Sequence, residues 1–255
     1  LSQVFLKESW PCEELVSLLK KEGVEEVLEI GPGGGVLTKE LLGSHFYVTA
    51  VEKDPRYIEH LKSEFQSILN LDGELLNLVN EDILQFDIQK WLVGSQRKKA
   101  ICGNIPYSIS TSILKLILPI LPKLELSLFL VQLEFAERLV SLPKKKSYGR
   151  LSVYTQLQAN VNLEFKVGKE FFKPKPKVDS ALVSFRHKEC EIDPLLLKKV
   201  EKVLRIVFSQ RRKKLSNTLK PLLNSIVAKD ISIDLSRRCD SLSLEEFVTL
   251  SEELF

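Results

Sequence analysis

Between Ile101 and Ser110 the chain reads ICGNIPYSIS, a short apolar run that stops on Asn104-Ile105-Pro106-Tyr107. Pro106 sets the turn and biases Ile105 toward an extended backbone, which aims the Ile105 carbonyl outward. That carbonyl and the Asn104 side-chain oxygen are then two acceptors able to hold both N–H bonds of one amine. Tyr107 supplies a face on which a flat base can stack. This set suits an exocyclic ring amine, whose lone pair is delocalised into the ring and is a poor nucleophile. Two acceptors on its hydrogens draw the nitrogen out of conjugation, and positioning for in-line attack then does most of the work without a strong general base. A base taken from a helix must first leave its stack. The plainer alternative is an Asn-Pro turn with no ligand.

A second set lies upstream. VLEIGPGGGVLTKEL reads as a strand, a glycine turn and a helix, with Gly31, Gly33 and Gly35 in a G-x-G-x-G spacing. The dinucleotide fingerprint requires glycine or alanine at position 36, where Val36 stands instead. Glu29 precedes the turn, where its carboxylate can meet a cationic ligand. Glu52 ends the next strand in VTAVEKD, where a carboxylate accepts two hydrogen bonds from a ribose diol. Asp82 ends the third in LVNEDIL, placed to accept from the 6-amino group of an adenine while Ile83 offers its backbone amide. Each acid alone reads equally as a helix cap or a surface charge. Together they point to an adenosine-bearing cofactor without a pyrophosphate, S-adenosylmethionine, and hence to methylation of the amine held at Asn104.

These residues need strand ends along one edge of a sheet. Apolar, β-branched runs at Val24–Ile30, Phe46–Val51, Leu75–Val79, Ala100–Cys102 and Leu126–Val131 alternate with helical periods such as Arg56–Leu69 and Thr111–Leu118. That alternation predicts an α/β, Rossmann-like, mostly parallel sheet covered on both faces. Leu157–Val167 and Ala181–Arg186 read as an antiparallel hairpin closing one edge, joined through FFKPKPKVDS. Beyond about residue 188 the period is helical, through the FSQRRKKLSNTL stretch to a last helix with a capping-box-like Ser241…Glu245 neighbourhood. The expected division is a catalytic domain over residues 1–187 and a small all-helical domain over 188–255.

Composition narrows the class. A chain of 255 residues accommodates one large domain or a domain with an appendage. No apolar run approaches the length of a membrane span, and none at the start resembles a signal peptide. Cys12, Cys102, Cys190 and Cys239 form no C-x-x-C pair, which argues against a zinc site or disulfide framework and for a reducing, cytoplasmic setting. Methionine is absent even at position 1, which points to a processed chain or one that begins upstream. The net charge is only +3, but cations cluster at Lys144, Lys145, Lys146 and Arg150, at Lys173, Lys175 and Lys177, and at Arg211, Arg212, Lys213 and Lys214. Any one run reads as a solvated face; three favour a polyanionic partner.

The whole pattern resembles the ribosomal RNA adenine dimethyltransferase family. The resemblance runs through SQVFL, LEIGPGGGVLT, VEKD, NED, GNIPYSIS, QLEFAERL, YGRLSV, FKPKPKVDSA and FSQRRKKLSNTL. It implies S-adenosylmethionine-dependent transfer of two methyls to N6 of each of two adjacent adenines, in a hairpin loop near the 3′ end of small-subunit rRNA. The substrate would be a pre-ribosomal particle and the enzyme a monomer. Carried over by position, Leu6, Gly31, Glu52, Asp82 and Asn104 would hold the cofactor, with Glu29 and Gly33 close by. Asn104 would serve the target amine as well, and Phe172 would be either a second stacking ring or a core plug. The basic runs become RNA-backbone contacts. Val4 departs from the pattern, since the family usually carries Asn or His there to help hold the methionine end, so weaker cofactor binding is expected.

Three other readings remain. One is the related class that dimethylates an adenine of large-subunit rRNA, from which YGRLSV and FSQRRKKLSNTL point away. Another is a non-catalytic assembly or transcription factor, against which the intact Asn104–Tyr107 motif argues. The last is an amine methyltransferase acting on DNA.

Overall fold

The computed structural model describes residues 5–69, 75–189, 192–223 and 231–255. The elements in chain order are β1 (Phe5–Leu6), α1 (Trp10–Lys21), β2 (Glu26–Ile30), α2 (Val36–Gly43), β3 (Tyr47–Glu52), α3 (Pro55–Glu64), α4 (Gln66–Leu69), β4 (Leu76–Asn80), α5 (Ile88–Val93), β5 (Lys99–Asn104), α6 (Ser110–Ile117), β6 (Leu126–Gln132) and α7 (Leu133–Leu139). They continue with α8 (Arg150–Gln156), β7 (Ala159–Val167), β8 (Phe172–Lys173), β9 (Ser180–His187), α9 (Pro194–Ser209), α10 (Leu215–Thr218), α11 (Lys220–Leu223) and α12 (Leu244–Leu254).

Seven strands form one sheet in the order β4-β3-β2-β5-β6-β9-β7, and β1 pairs with β8 in a separate two-stranded ribbon. From β4 to β6 every pairing is parallel, while β9 runs antiparallel to β6. The central strands are buried residue after residue rather than alternately, as strands covered on both faces must be. The expected α/β class is therefore observed, and β7 and β9 close one edge with the later strand on the inside. The parallel arrangement brings the carboxyl ends of β2, β3, β4 and β5 to one edge, with the entry to β9 beside the end of β6.

The chain divides into two compact units. One comprises Leu1–Ala136 with Asn160–His187, the other Glu137–Ala159 with Lys188–Phe255. The expected boundary after 187 is one of the crossings, but residues 137–159 belong to the second unit. Tyr148, Val153 and Leu157 share a core with Val200, Val203, Leu204 and Val207 of α9 and Phe247 and Leu250 of α12, and Tyr148 donates its hydroxyl to Leu242 O at 2.9 Å. No glycine- or proline-rich linker marks that earlier crossing, so periodicity alone could not find it. The same packing explains why the strand expected from Leu157 begins only at Ala159, behind α8.

Two further boundaries shift. The helix read through FSQRRKKLSNTL breaks after Ser209, so Arg211–Lys214 occupies a turn between α9 and α10. The last capping box lies at Ser243 and Glu246 rather than Ser241 and Glu245: the Ser243 hydroxyl accepts from Glu246 N–H and the Glu246 carboxylate accepts from Ser243 N–H. Among the described residues no helix is long and apolar enough to cross a membrane.

Candidate active site

The glycine turn joins β2 to α2 with little slack. Gly35, with φ +80°, stands at the N-cap of α2, and a Cβ there would come within 2.7 Å of Leu61 Cδ2. Glycine has no side chain to cap the helix, and Glu29 does so from inside the sheet. Its Oε2 accepts from Thr38 Oγ1 at 2.7 Å, and the Thr38 backbone amide bonds it as well. Burial pushes the Glu29 carboxyl up to about 7, against the opposing effect of the Thr38 hydroxyl bond and with a smaller push from Glu52. Glu29 is therefore a buried cap, not the exposed partner of a cationic ligand expected from its position.

Glu52 and Asp82 face the cleft differently. Glu52 accepts from Gly33 N–H at 3.2 Å through Oε2 and from Asp54 N–H at 2.9 Å through Oε1. Each oxygen keeps a second lone pair, so a diol can still be held while the carboxylate pins the glycine turn. Asp82 accepts from Lys53 Nζ at 2.7 Å and from Leu84 N–H at 3.0 Å. The Lys53 ammonium first, and then the Leu84 amide, hold its carboxyl below the usual range. Ile83 buries its side chain. A Cβ at Gly31, whose φ is +66°, would meet nothing within 4 Å, so there is open space over the turn. Acceptors at two successive strand ends around open space fit an adenosine-bearing molecule. An open cleft of about 630 Å³ also lies beside Lys7, Trp10, Gly35, Lys39 and Glu64. Glu29, Glu52 and Asp82 do not border it.

The end of β5 carries the Asn104-Ile105-Pro106-Tyr107 motif. A Cβ on Gly103 would lie 2.4 Å from Ile30 O, so only glycine lets β5 approach β2 just before Asn104. Ile105 buries its side chain and donates its amide to Leu130 O at 3.0 Å, which leaves its carbonyl as the polar group it can offer. Pro106 has φ −58° and ψ 134°, and its carbonyl accepts from Ile109 N–H at 3.1 Å and Ser110 Oγ at 3.2 Å. Tyr107 stands 69% exposed on the resulting turn. A large ring left in solvent beside a half-buried amide is an available stacking face.

A model of the family described as ribosomal RNA adenine dimethylase matches residues 1–255. The chain belongs to this family. Curated relatives called ribosomal RNA small subunit methyltransferase A include one from Francisella tularensis subsp. novicida, 36% identical with all of this chain and 96% of the relative covered. Another, from Chlorobium phaeobacteroides, is 37% identical with 100% and 92% covered. Among solved structures, a dimethyladenosine transferase from Plasmodium falciparum superposes with TM-score 0.74 at 24% identity, covering 96% of this chain and 95% of that one. The 23S rRNA methyltransferase ErmE superposes with TM-score 0.69 at 25% identity, covering 98% and 99%. The protein is an rRNA adenine dimethyltransferase fold and enzyme, and S-adenosylmethionine is its methyl donor.

Other family positions are placed as follows. Val4 lies outside the described residues. Leu6 is half-buried in β1, paired with Phe172. Phe172, expected as a second stacking ring, is only 2% exposed and belongs to the core under the sheet with Cys12, Leu15 and Leu182. Its ribbon pairing with β1 turns the ring inward, so it offers no face to a base. Lys173, at the end of β8, and Lys175, in the loop that follows, are exposed. The base of that loop is fixed by Asp179, whose carboxylate accepts from Lys169 N–H at 3.0 Å and whose carbonyl accepts from Leu133 N–H at 2.9 Å.

In the second unit Lys144, Lys145, Lys146, Arg150, Arg212, Lys213 and Lys214 are exposed. Arg211 is not free in the same way. Its guanidinium donates to Lys146 O at 2.6 Å and Lys145 O at 3.0 Å and pairs with Asp240 at 3.4 Å, so it clasps two basic segments together. Lys214 forms a β-bridge with Arg238, adding an exposed cation from a distant stretch. Reading the sequence missed Thr38, Lys53, Asn80, Gly103 and Arg238. All but Arg238 lie inside the contiguous motifs, yet nothing in the motifs says which partner each side chain takes.

Proposed function

We propose that the protein dimethylates N6 of two adjacent adenines in a 3′-terminal hairpin loop of small-subunit rRNA, acting as a cytoplasmic monomer on a pre-ribosomal particle. The observation that carries this reading is the exposed Tyr107 on a proline-set turn directly after Asn104, at the same sheet edge as Glu52 and Asp82. In this reading Glu52 holds the ribose, Asp82 and Ile83 the adenine, and Leu6, Gly31 and Gly33 line the remainder of the donor. The bound donor supplies an electrophilic methyl group. The Asn104 side-chain oxygen and the Ile105 carbonyl accept the N–H bonds of the target amine and localise its lone pair, while Tyr107 stacks on the extruded base. After one transfer the amine keeps a single N–H, so only one of the two acceptors is used in the second round, and the pocket must admit a methyl.

The exposed cations of the second unit, with Lys173 and Lys175, bind phosphates of a folded RNA surface, a contribution that falls steeply with salt. Arg211 serves that surface by holding its loops. The name of the curated relatives supports the small-subunit substrate. The test is methyl transfer from labelled S-adenosylmethionine to under-methylated small subunits, with large subunits alongside, followed by nucleoside analysis. N6,N6-dimethyladenosine from small subunits alone is expected. Label confined to large subunits, or no label with donor binding intact, overturns the reading.

A further inference from the structure

Lys53 directly follows Glu52 in VEKD, and its ammonium donates to Asp82 Oδ2 at 2.7 Å. Asn80 ties the same corner together: its amide donates to Glu52 O at 2.9 Å and Lys53 O at 3.3 Å, and Glu81 N–H donates to Glu52 O at 3.1 Å. The ends of β3 and β4 are thus locked in register where Lys53 reaches across to Asp82. The Leu84 amide anchors one carboxylate oxygen of Asp82 and Lys53 anchors the other. With both anchors the carboxylate plane is set, one lone pair remains on each oxygen, and the group stays ionised, an acceptor only. With Leu84 alone it can swing about its last torsion.

We propose that Lys53 is a positioning residue that fixes Asp82 as an acceptor and thereby sets the preference for a 6-amino over a 6-oxo purine in the methyl donor. The inference rests on the proposed role of Asp82 toward the adenine and goes beyond it. A 6-amino group donates to the fixed carboxylate. A 6-oxo group presents an acceptor to an acceptor and is rejected, as sites built around one hydrogen-bond polarity reject its inverse. The Lys53 side chain is 72% exposed, so shortening it opens no cavity and should leave the fold intact.

The experiment is calorimetric binding of S-adenosylhomocysteine and of S-inosylhomocysteine, its 6-oxo counterpart, to the full chain and to Lys53→Ala, Lys53→Arg and Asp82→Asn, with melting temperatures as the folding control. The parent should prefer the amino form by about 100-fold. Lys53→Ala should narrow that preference about fivefold, chiefly by weakening the amino form, because one charge-assisted anchor is lost. Lys53→Arg, which keeps a cationic donor, should restore it. Asp82→Asn, whose amide can donate to a 6-oxo group, should collapse the preference. If Lys53→Ala weakens both ligands equally, or changes neither while Asp82→Asn collapses the preference, the inference is overturned and the Asp82 assignment stands. If Asp82→Asn leaves the preference intact, the Asp82 assignment itself fails and the inference falls with it.

Discussion

The turns after β2 and β5 leave the same edge of the sheet, yet they direct their polar groups oppositely. At the glycine turn, Glu29 is committed to Thr38, and Glu52 holds the Gly33 and Asp54 amides. After β5, the Ile105 amide and the Pro106 carbonyl are committed inward, and Tyr107 is left in solvent. A turn that must cradle a molecule of constant shape gains from being rigid and saturated from within. On the proposed reading, a turn that receives a base extruded from RNA keeps its stacking face open. The same contrast separates the two rings the sequence nominates together, since Tyr107 points outward while Phe172 is core.

The sharpest way to break this contrast is at Phe172. As an inward ring it should lower stability by about 3–5 kcal/mol when changed to Ala, measured by denaturant unfolding. Phe172→Leu should retain most of the stability and also the turnover of folded enzyme. A stacking ring would instead lose turnover in both variants without unfolding. At the outward corner, Asn104→Ala should reduce kcat by about 10²–10³-fold, the scale for removing one preorganised group from a reacting centre, with the melting temperature unchanged. A large fall in melting temperature would move Asn104 to the inward class.

Tyr107→Ala should weaken kcat/KM for ribosomal particles by about 1–3 kcal/mol, the value of one stacked base, while Tyr107→Phe should match the parent. An effect of similar size is expected at Glu29, and it depends on pH. Its carboxyl titrates at about 7 in the folded chain against an ordinary 4.5. Between those values the folded state binds more protons than the unfolded one. The stability Glu29 contributes is therefore fully present below about pH 4.5 and is lost as pH rises through about 7. Glu29→Gln is neutral throughout and keeps an acceptor for Thr38, so it should gain about 1–3 kcal/mol on the parent between about pH 5 and pH 8. Parallel unfolding curves across that range would show that Glu29 is not titrating there.

Reading residues in order recovered the strands and their edge because parallel strands buried on both faces leave long apolar runs, and because glycine, acid and Asn-Pro signals punctuate their ends. It recovered the family for the same reason: the motifs are contiguous. What it mistook lies where one-dimensional pattern is silent about direction. An acid before a glycine turn can face a ligand or cap the next helix, and only the position of Thr38 over Glu29 decided that. Phe172 has the same neighbours in sequence whether it plugs the core or meets a base, and its pairing with Leu6 decided that. The basic turn at 211–214 reads as a helix face until Arg211 is seen holding the carbonyls of residues 145 and 146. By itself the sequence determined which residue types stand at the strand ends and the order of the elements, because both depend on residues adjacent in the chain. Which polar groups remain free for a ligand was decided by tertiary structure, because hydrogen-bond partners such as Lys53 and Asp82, 29 residues apart, meet only once the strands are side by side.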